Sequence, residues 1–292
     1  MQKSKLRNYF ALTKPGIIRG NLITSIAAFF FASHQLIDLR LMLSLVVGTT
    51  FVIAAGCVFN NILDRDIDKK MERTKKRALV TGQVTVKNAL FFGLALGCSG
   101  IIILWQYTNP LSASFGLIGL FFYVIVYGYA KRRTLHSTLI GSISGAIPPV
   151  IGYTASTNTL DIGTGLLFII LVTWQMPHFY SIAIYRIEEY KKAEIPLLSI
   201  IKGVLTVKKQ ILFYTVLFIV SVYSLFLFGY VGSLYLVVMS AVGGWWLVKG
   251  YQGFETSDTE KWAKQMFGVS LVVLLVFSIM ISIQGFLPFG IV

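Results

Sequence analysis

Leu212–Phe228 reads LFYTVLFIVSVYSLFLF. The stretch carries no charge and shows no apolar–polar alternation. It approaches the roughly 20 apolar residues that cross a bilayer core. Val269–Ile283, VSLVVLLVFSIMISI, has the same character. In lipid the backbone must satisfy its own hydrogen bonds, which leaves helices or a closed barrel, and barrel strands would alternate. These stretches are read as membrane helices.

The rest of the chain extends the pattern. Its 292 residues are 55% hydrophobic and 13% charged, with a mean hydropathy of +0.74, whereas soluble domains carry about 25% charged residues. No single soluble core could hide so many apolar runs. The expected fold is all-α: a polytopic transmembrane bundle of nine helices. Its spans lie near 16–34, 41–63, 88–107, 111–130, 137–155, 163–185, 210–228, 232–249 and 265–286. Residues 1–292 form one integral membrane domain, compatible with two four-helix halves, about 1–130 and 131–249, plus a ninth helix. The basic segment Met1–Lys14 precedes an apolar run without a small-residue cleavage site, so no cleavable signal peptide is expected. Cys57 and Cys98 fall within spans and are read as packing residues.

The net charge of +14 would suit nucleic acid, but its distribution points to the membrane. Of 26 basic residues, only Arg40 falls on the opposite side, and Arg19 lies within the first span. The others gather in the N-terminal tail and in the loops after spans two, four, six and eight. The positive-inside rule makes that side cytoplasmic, N-terminus included, and an odd span count puts the C-terminus outside.

Span two ends in Asn60-Asn61-Ile62-Leu63-Asp64-Arg65-Asp66-Ile67-Asp68. If the helix continues, Asn60, Asp64 and Asp68 share one face about 6 Å apart and Asp66 turns away. A solvated helix end is the ordinary use of such residues, but like charges at that spacing repel. A divalent cation reverses that argument, since Mg²⁺ takes hard oxygens and bridges carboxylates to phosphates. Downstream, Arg73 and Arg77 share a face and suit a diphosphate, whose oxygens a guanidinium fork matches. For Lys75 and Lys76 the positive-inside bias suffices.

Span six ends in Trp174-Gln175-Met176-Pro177-His178-Phe179-Tyr180, followed by Arg186-Ile187-Glu188-Glu189. Pro177 should kink the helix. His178 precedes Arg186 by about 12 Å of helix, and an ionisable residue at that depth is a functional candidate together with Gln175. His34 and His136, at span ends, are read as inert.

Asn60-x-x-x-Asp64-x-x-x-Asp68 resembles the first aspartate-rich motif of the UbiA-type intramembrane prenyltransferases, and Tyr127-x-x-x-Lys131 resembles their tyrosine–lysine motif. Lys14-Pro15-Gly16, Asn60–Leu79, Leu139–Tyr153 (LIGSISGAIPPVIGY) and Trp174–His178 are similar to the haem-modifying branch of that superfamily, the protohaem IX farnesyltransferase or haem O synthase family. The resemblance covers essentially the whole chain. It implies nine helices in a bacterial cytoplasmic (inner) membrane, Mg²⁺ as cofactor, and conversion of haem B and farnesyl diphosphate into haem O and diphosphate in the service of haem–copper terminal oxidases. Carried over, Asn60, Asp64 and Asp68 hold the metal, and Arg73, Arg77 and Lys131 complete the catalytic set. Tyr127, Arg132, Gln175, His178, Arg186 and Glu189 contact substrate. The wider superfamily carries aspartates in its second motif where this chain offers Glu188 and Glu189, so metal is assigned first to Asp64 and Asp68. A quinone-precursor prenyltransferase would share the first motif but leave the Trp-Gln-Met-Pro-His run unexplained. A secondary transporter would place its ionisable groups at the bilayer midplane.

Overall fold

The structure, a computed structural model, describes residues 2–33 and 37–286; His34 lies outside them. The chain opens with α1 (Gln2–Leu12) and turns at Lys14 into α2 (Pro15–Ala32). Pro15 suits the first turn, where its missing N–H has no partner to lose. Asp38 caps α3 (Leu39–Leu63) by accepting from the Arg40 and Leu41 amides, and α4 (Arg65–Lys70) follows at once. Thr85 caps α5 (Val86–Tyr107). Asn109 caps α6 (Pro110–Phe121), which runs through a π-helical turn, Phe122–Val126, into α7 (Tyr127–Arg133). Next come α8 (Ser137–Gly145) and α9 (Ile147–Thr157), and a capping box at Asp161 opens α10 (Ile162–Tyr185). The short helices α11 (Ile187–Lys192) and α12 (Leu198–Ile201) lead to α13 (Val204–Leu227), α14 (Ser233–Tyr251) and α15 (Thr259–Phe286). No strand occurs among the described residues.

Among the described residues, eight helical runs are long and apolar enough to cross a membrane, and they coincide with eight of the nine expected spans. The fifth expected span, 137–155, is instead two short helices broken at Ala146. Pro148 and Pro149 lack the amides that would donate back to Ser144 and Gly145, and the loss of two consecutive bonds favours a break there. Two other boundaries shift. α13 begins at Val204 rather than 210, and α15 at Thr259 rather than 265, which places Lys208, Lys209, Lys261 and Lys264 on helices. Pro177 sits inside α10, which nevertheless runs on as one helix.

α10 is the central post: 72% of its apolar window is buried, against 22–50% for the other seven spans. Around it α13, α14 and α15 build a core on Phe218, Trp246, Met266 and Phe277, and a second cluster joins α2, α3, α5, α6 and α9. The outer surface keeps Leu94, Ile102, Phe121, Phe213, Val220, Val237 and Leu275 exposed, as lipid contact requires. Helices approach closely where side chains vanish: an atom added at Gly152 of α9 would lie 1.9 Å from the Ser25 carbonyl oxygen of α2. Without a hydrophobic force between helices in lipid, such small-residue contacts are what association rests on.

Candidate active site

Asp64 is the joint between α3 and α4, closing one helix and opening the next. Backbone bonding runs straight through it. The Asp64 amide donates to the Asn60 carbonyl at 2.9 Å and the Asp68 amide to the Asp64 carbonyl at 2.7 Å. Asn60, Asp64 and Asp68 therefore keep one face, and all three are buried, at 4%, 2% and 2% exposure.

Asp66 turns outward, with its side chain 66% exposed. Both its oxygens accept from Arg132 at 2.7 Å, and the same guanidinium reaches the Leu63 carbonyl at 2.6 Å. Arg132 holds the Asp66 carboxyl well below the usual carboxylate range. The structure thus commits Arg132 to bracing the outside of the joint, away from the buried acids. Exposed pairs contribute little. Asp66→Ala is expected to leave turnover within about twofold of the parent in a steady-state assay, although it removes an acid two residues from Asp64.

Three cations close over the buried face. Lys131 donates to Asp64 Oδ2 at 2.6 Å, Arg77 to Asp68 Oδ2 at 2.6 Å and to Asn61 Oδ1 at 3.1 Å, and Lys14 to Asn60 Oδ1 at 2.7 Å. The sequence reading gave neither Lys14 nor Asn61 a role. Lys14 reaches the site because the α1–α2 turn puts it at φ 51°, a left-handed conformation rare for lysine, and Asn61 fixes that turn by donating to the Leu12 carbonyl at 2.8 Å. The Lys-Pro-Gly run was the available signal: proline disfavours the helical conformation at the residue before it. Burial lowers the Lys14 ammonium to about 8, with the Asp64 carboxylate pulling the other way.

α7 supplies Lys131, and the π turn before it changes the phase of that helix. Wider i→i+5 bonding offsets the drift of residues spaced by four, so Tyr123, Tyr127 and Lys131 stay on one side. The Tyr123 and Tyr127 rings stack at 5.8 Å and 15°, and Tyr127 packs over Gly141 of α8. A cap covers this end of the bundle. Ile67 and Met71 pack with Ala183, Ala193, Ile195 and Leu197, joined by Tyr190, and Lys70 pairs with Glu194 at 2.6 Å. Glu189 lies under the cap between Arg186, at 3.1 Å, and Arg73, at 3.9 Å. Tyr190, absent from the sequence reading, lies in the field of Tyr127, Arg73, Lys131 and Arg186, and burial pushes its phenol up.

Gln175 and His178 are buried within α10 and tied to different neighbours. Gln175 donates to the Ser142 carbonyl of α8 at 3.1 Å. His178 Nδ1 meets Ser270 Oγ of α15 at 2.8 Å, and its ring lies 4.8 Å from those of Trp174 and Phe267. Its Nε2 has no hydrogen-bond partner among the described residues.

The buried face suits a hard cation. Asp64 Oδ1 is buried with no hydrogen-bond partner, a costly state for a carboxylate oxygen. It stands on the same face as the oxygens of Asn60 and Asp68. No group of three His, Cys, Asp or Glu residues assembles among the described residues. A cation here would draw its remaining ligands from water and phosphate, the usual coordination of Mg²⁺.

Buried acids ringed by lysine and arginine at one end of a membrane bundle define a class of enzyme. The chain belongs to the UbiA prenyltransferase family, whose model matches residues 21–277. Relatives that it resembles over nearly its full length include protoheme IX farnesyltransferases. That of Salmonella arizonae is 45% identical over 283 residues, 97% of this chain and 96% of the relative. That of Salmonella typhi is 46% identical and that of Escherichia coli O1:K1 / APEC 45%, with the same coverage. Among solved structures, a digeranylgeranylglyceryl phosphate synthase superposes with a TM-score of 0.80 at 18% identity, covering 97% of this chain and 99% of that one. A UbiA homologue from Archaeoglobus fulgidus bound to GPP and Mg²⁺ gives 0.68 at 17% identity, covering 94% and 99%. These likenesses place the fold.

Proposed function

We propose that this prenyltransferase moves a farnesyl group from farnesyl diphosphate to a vinyl group of haem B, with addition of water, giving haem O and diphosphate. The observation that carries the reading is the partnerless Asp64 oxygen on a buried face with Asn60 and Asp68, inside a ring of Lys14, Arg77 and Lys131. Asn60, Asp64 and Asp68 would hold Mg²⁺, which neutralises charge on a bound diphosphate and makes it a better leaving group. Lys14, Arg77 and Lys131 are within reach of the same oxygens and stabilise the charge that grows as the allylic C–O bond breaks and its electron pair leaves with the diphosphate. Arg73 and Arg186, held loosely on Glu189, are placed to turn onto the second phosphate. Tyr127 and Tyr123 present stacked ring faces beside Lys131, a suitable wall for an allylic cation.

The haem vinyl π pair then forms the new C–C bond. Water captures the resulting cation and loses a proton to give the hydroxyl. The proposed orientation puts this end of the bundle at the cytoplasmic face of the inner membrane.

His178 is the proposed haem residue: with Nδ1 engaged by Ser270, Nε2 is the nitrogen left for iron. His178→Ala is expected to weaken haem B binding about tenfold or more, followed by Soret titration, while farnesyl diphosphate affinity stays within about twofold. Equal loss of both would mean that His178 only packs. Incubating the purified protein with haem B, farnesyl diphosphate and Mg²⁺ tests the reaction itself. The expected pigment is haem B heavier by one farnesyl group and one hydroxyl. Unchanged haem B would refute the proposal.

A further inference from the structure

Lys208, on the first turns of α13, is 9% exposed. By surface exposure it is the least accessible lysine or arginine among the described residues, and no carboxylate pairs with it. Its ammonium donates to Thr259 Oγ1 at 3.0 Å and lies 5.4 Å from the Trp262 ring, and that ring is fixed by Trp262 Nε1 donating to the Lys249 carbonyl at 2.8 Å. An ammonium has three donors, and a buried cation without a counter-ion is costly. The π face of Trp262 offsets only part of that cost.

Thr259 lines a cleft of about 360 Å³ formed by the end of α10, α11 and the starts of α13 and α15. Three glutamates line it too, but each already has a basic partner: Glu188 with Lys191 at 2.8 Å, Glu189 with Arg186 at 3.1 Å and Glu260 with Lys264 at 2.6 Å. Lys208 is the charge left unmatched. A line of rings connects the cleft to His178. His178 lies 4.8 Å from Phe267, Phe267 lies 6.0 Å from Tyr185, and the Arg186 guanidinium sits 5.2 Å over Tyr185. Along α15, Thr259 precedes Phe267 by about 12 Å. The volume is at the small end of ligand pockets, suited to one edge of a large planar ligand.

We propose that Lys208, at the Thr259 wall of this cleft, anchors a carboxylate arm of the acceptor tetrapyrrole while the macrocycle lies along the His178–Phe267–Tyr185 rings. The inference rests on the acceptor reading above and adds where the acidic edge of that acceptor is held. It separates the two substrates: the diphosphate ends at Lys14, Arg77 and Lys131, the propionate at Lys208.

The test pairs a charge removed from the protein with a charge removed from the ligand. Haem B and its dimethyl ester, with both propionates masked, are titrated into parent, Lys208→Met, Lys208→Arg and Lys209→Met proteins in nanodiscs, and KM for each substrate is measured alongside. Esterification is expected to weaken binding to the parent roughly tenfold, the order of a charge-assisted hydrogen bond. Lys208→Met should cost haem B the same factor, and the ester should bind the variant no worse than haem B does. KM for farnesyl diphosphate should not move. Lys208→Arg should recover most of the loss, and Lys209→Met, which removes an exposed neighbouring charge, should lose nothing.

Losses that multiply, or a Lys208→Met protein that binds haem B like the parent, overturn the inference. A defect seen in phosphatidylglycerol discs but not in phosphatidylcholine discs, and identical for haem and ester, assigns Lys208 to a lipid phosphate and also overturns it. If the parent cleaves farnesyl diphosphate but neither binds nor converts haem B, the acceptor reading fails and this inference with it. A rise in KM for farnesyl diphosphate in Lys208→Met that matches its loss of haem B affinity would make Lys208 structural and overturn the anchor.

Discussion

Asp64→Ala is expected to lower kcat by roughly a hundred- to a thousandfold, the usual cost of removing one preorganised charge-stabilising group, while the protein still assembles. Asp64 is 2% exposed, gives one oxygen to Lys131 and keeps the other free of any partner. On the proposed mechanism, replacing it would remove a cation ligand and would also leave Lys131 without its counter-charge. Asp64→Asn separates charge from shape: the shape remains but the charge does not, so its turnover should be nearly as low. Asp66→Ala provides the control on the same loop. Size-exclusion profiles and melting curves should match the parent for all three, and parental turnover in Asp64→Ala would remove the acids from the mechanism.

Gly152→Ala should have the largest effect on assembly. The added methyl would lie 1.9 Å from the Ser25 carbonyl oxygen and 2.8 Å from its carbon. Both are backbone atoms of α2, which cannot swing aside as a flexible side chain could. α9 must either retreat from α2 or lose its seat against α10, and a cost of at least about 3 kcal/mol is expected, at the top of the range for overpacking. Gly244→Ala, on a lipid-side stretch of α14 with nothing within 4 Å, should be neutral or slightly stabilising. Recovery of monodisperse protein and its melting temperature measure both, and a Gly152→Ala protein as stable as the parent would mean that the two helices are not in contact there.

Much of the fold and part of the site were legible from the residues alone, for identifiable reasons. Spans such as 163–185 declare themselves by length and apolarity, properties local to the stretch. The shared face of Asn60, Asp64 and Asp68 follows from helical periodicity, which the Asp64 joint does not interrupt. The break at Ala146 was local as well: Pro148 and Pro149 announce it, but hydropathy averages across them.

Features built by distant contacts were not legible. Lys14 is separated from Asn60 by 46 positions and arrives only because a left-handed turn sends it back to α3. The family resemblance puts Arg132 among the substrate residues, yet successive residues on a helix face different ways, and in the structure its partner is Asp66. Tyr190 and the cap over the site depend on α11 packing against α4, a contact no periodicity encodes. Lys208 seemed an ordinary loop charge because α13 was expected to begin after it; placed inside the helix, it became a buried cation.

The decisive observation is whether these oxygens bind a divalent cation together with the diphosphate. Mn²⁺, a paramagnetic stand-in for Mg²⁺, can be titrated by electron paramagnetic resonance into the purified protein with and without farnesyl diphosphate, alongside an Asp64→Asn/Asp68→Asn variant. The parent should take up Mn²⁺ much more tightly when farnesyl diphosphate is present, and the double variant should lose that uptake while keeping its fold. Equal Mn²⁺ uptake by parent and variant would place the cation elsewhere and leave the buried acids without the role assigned to them.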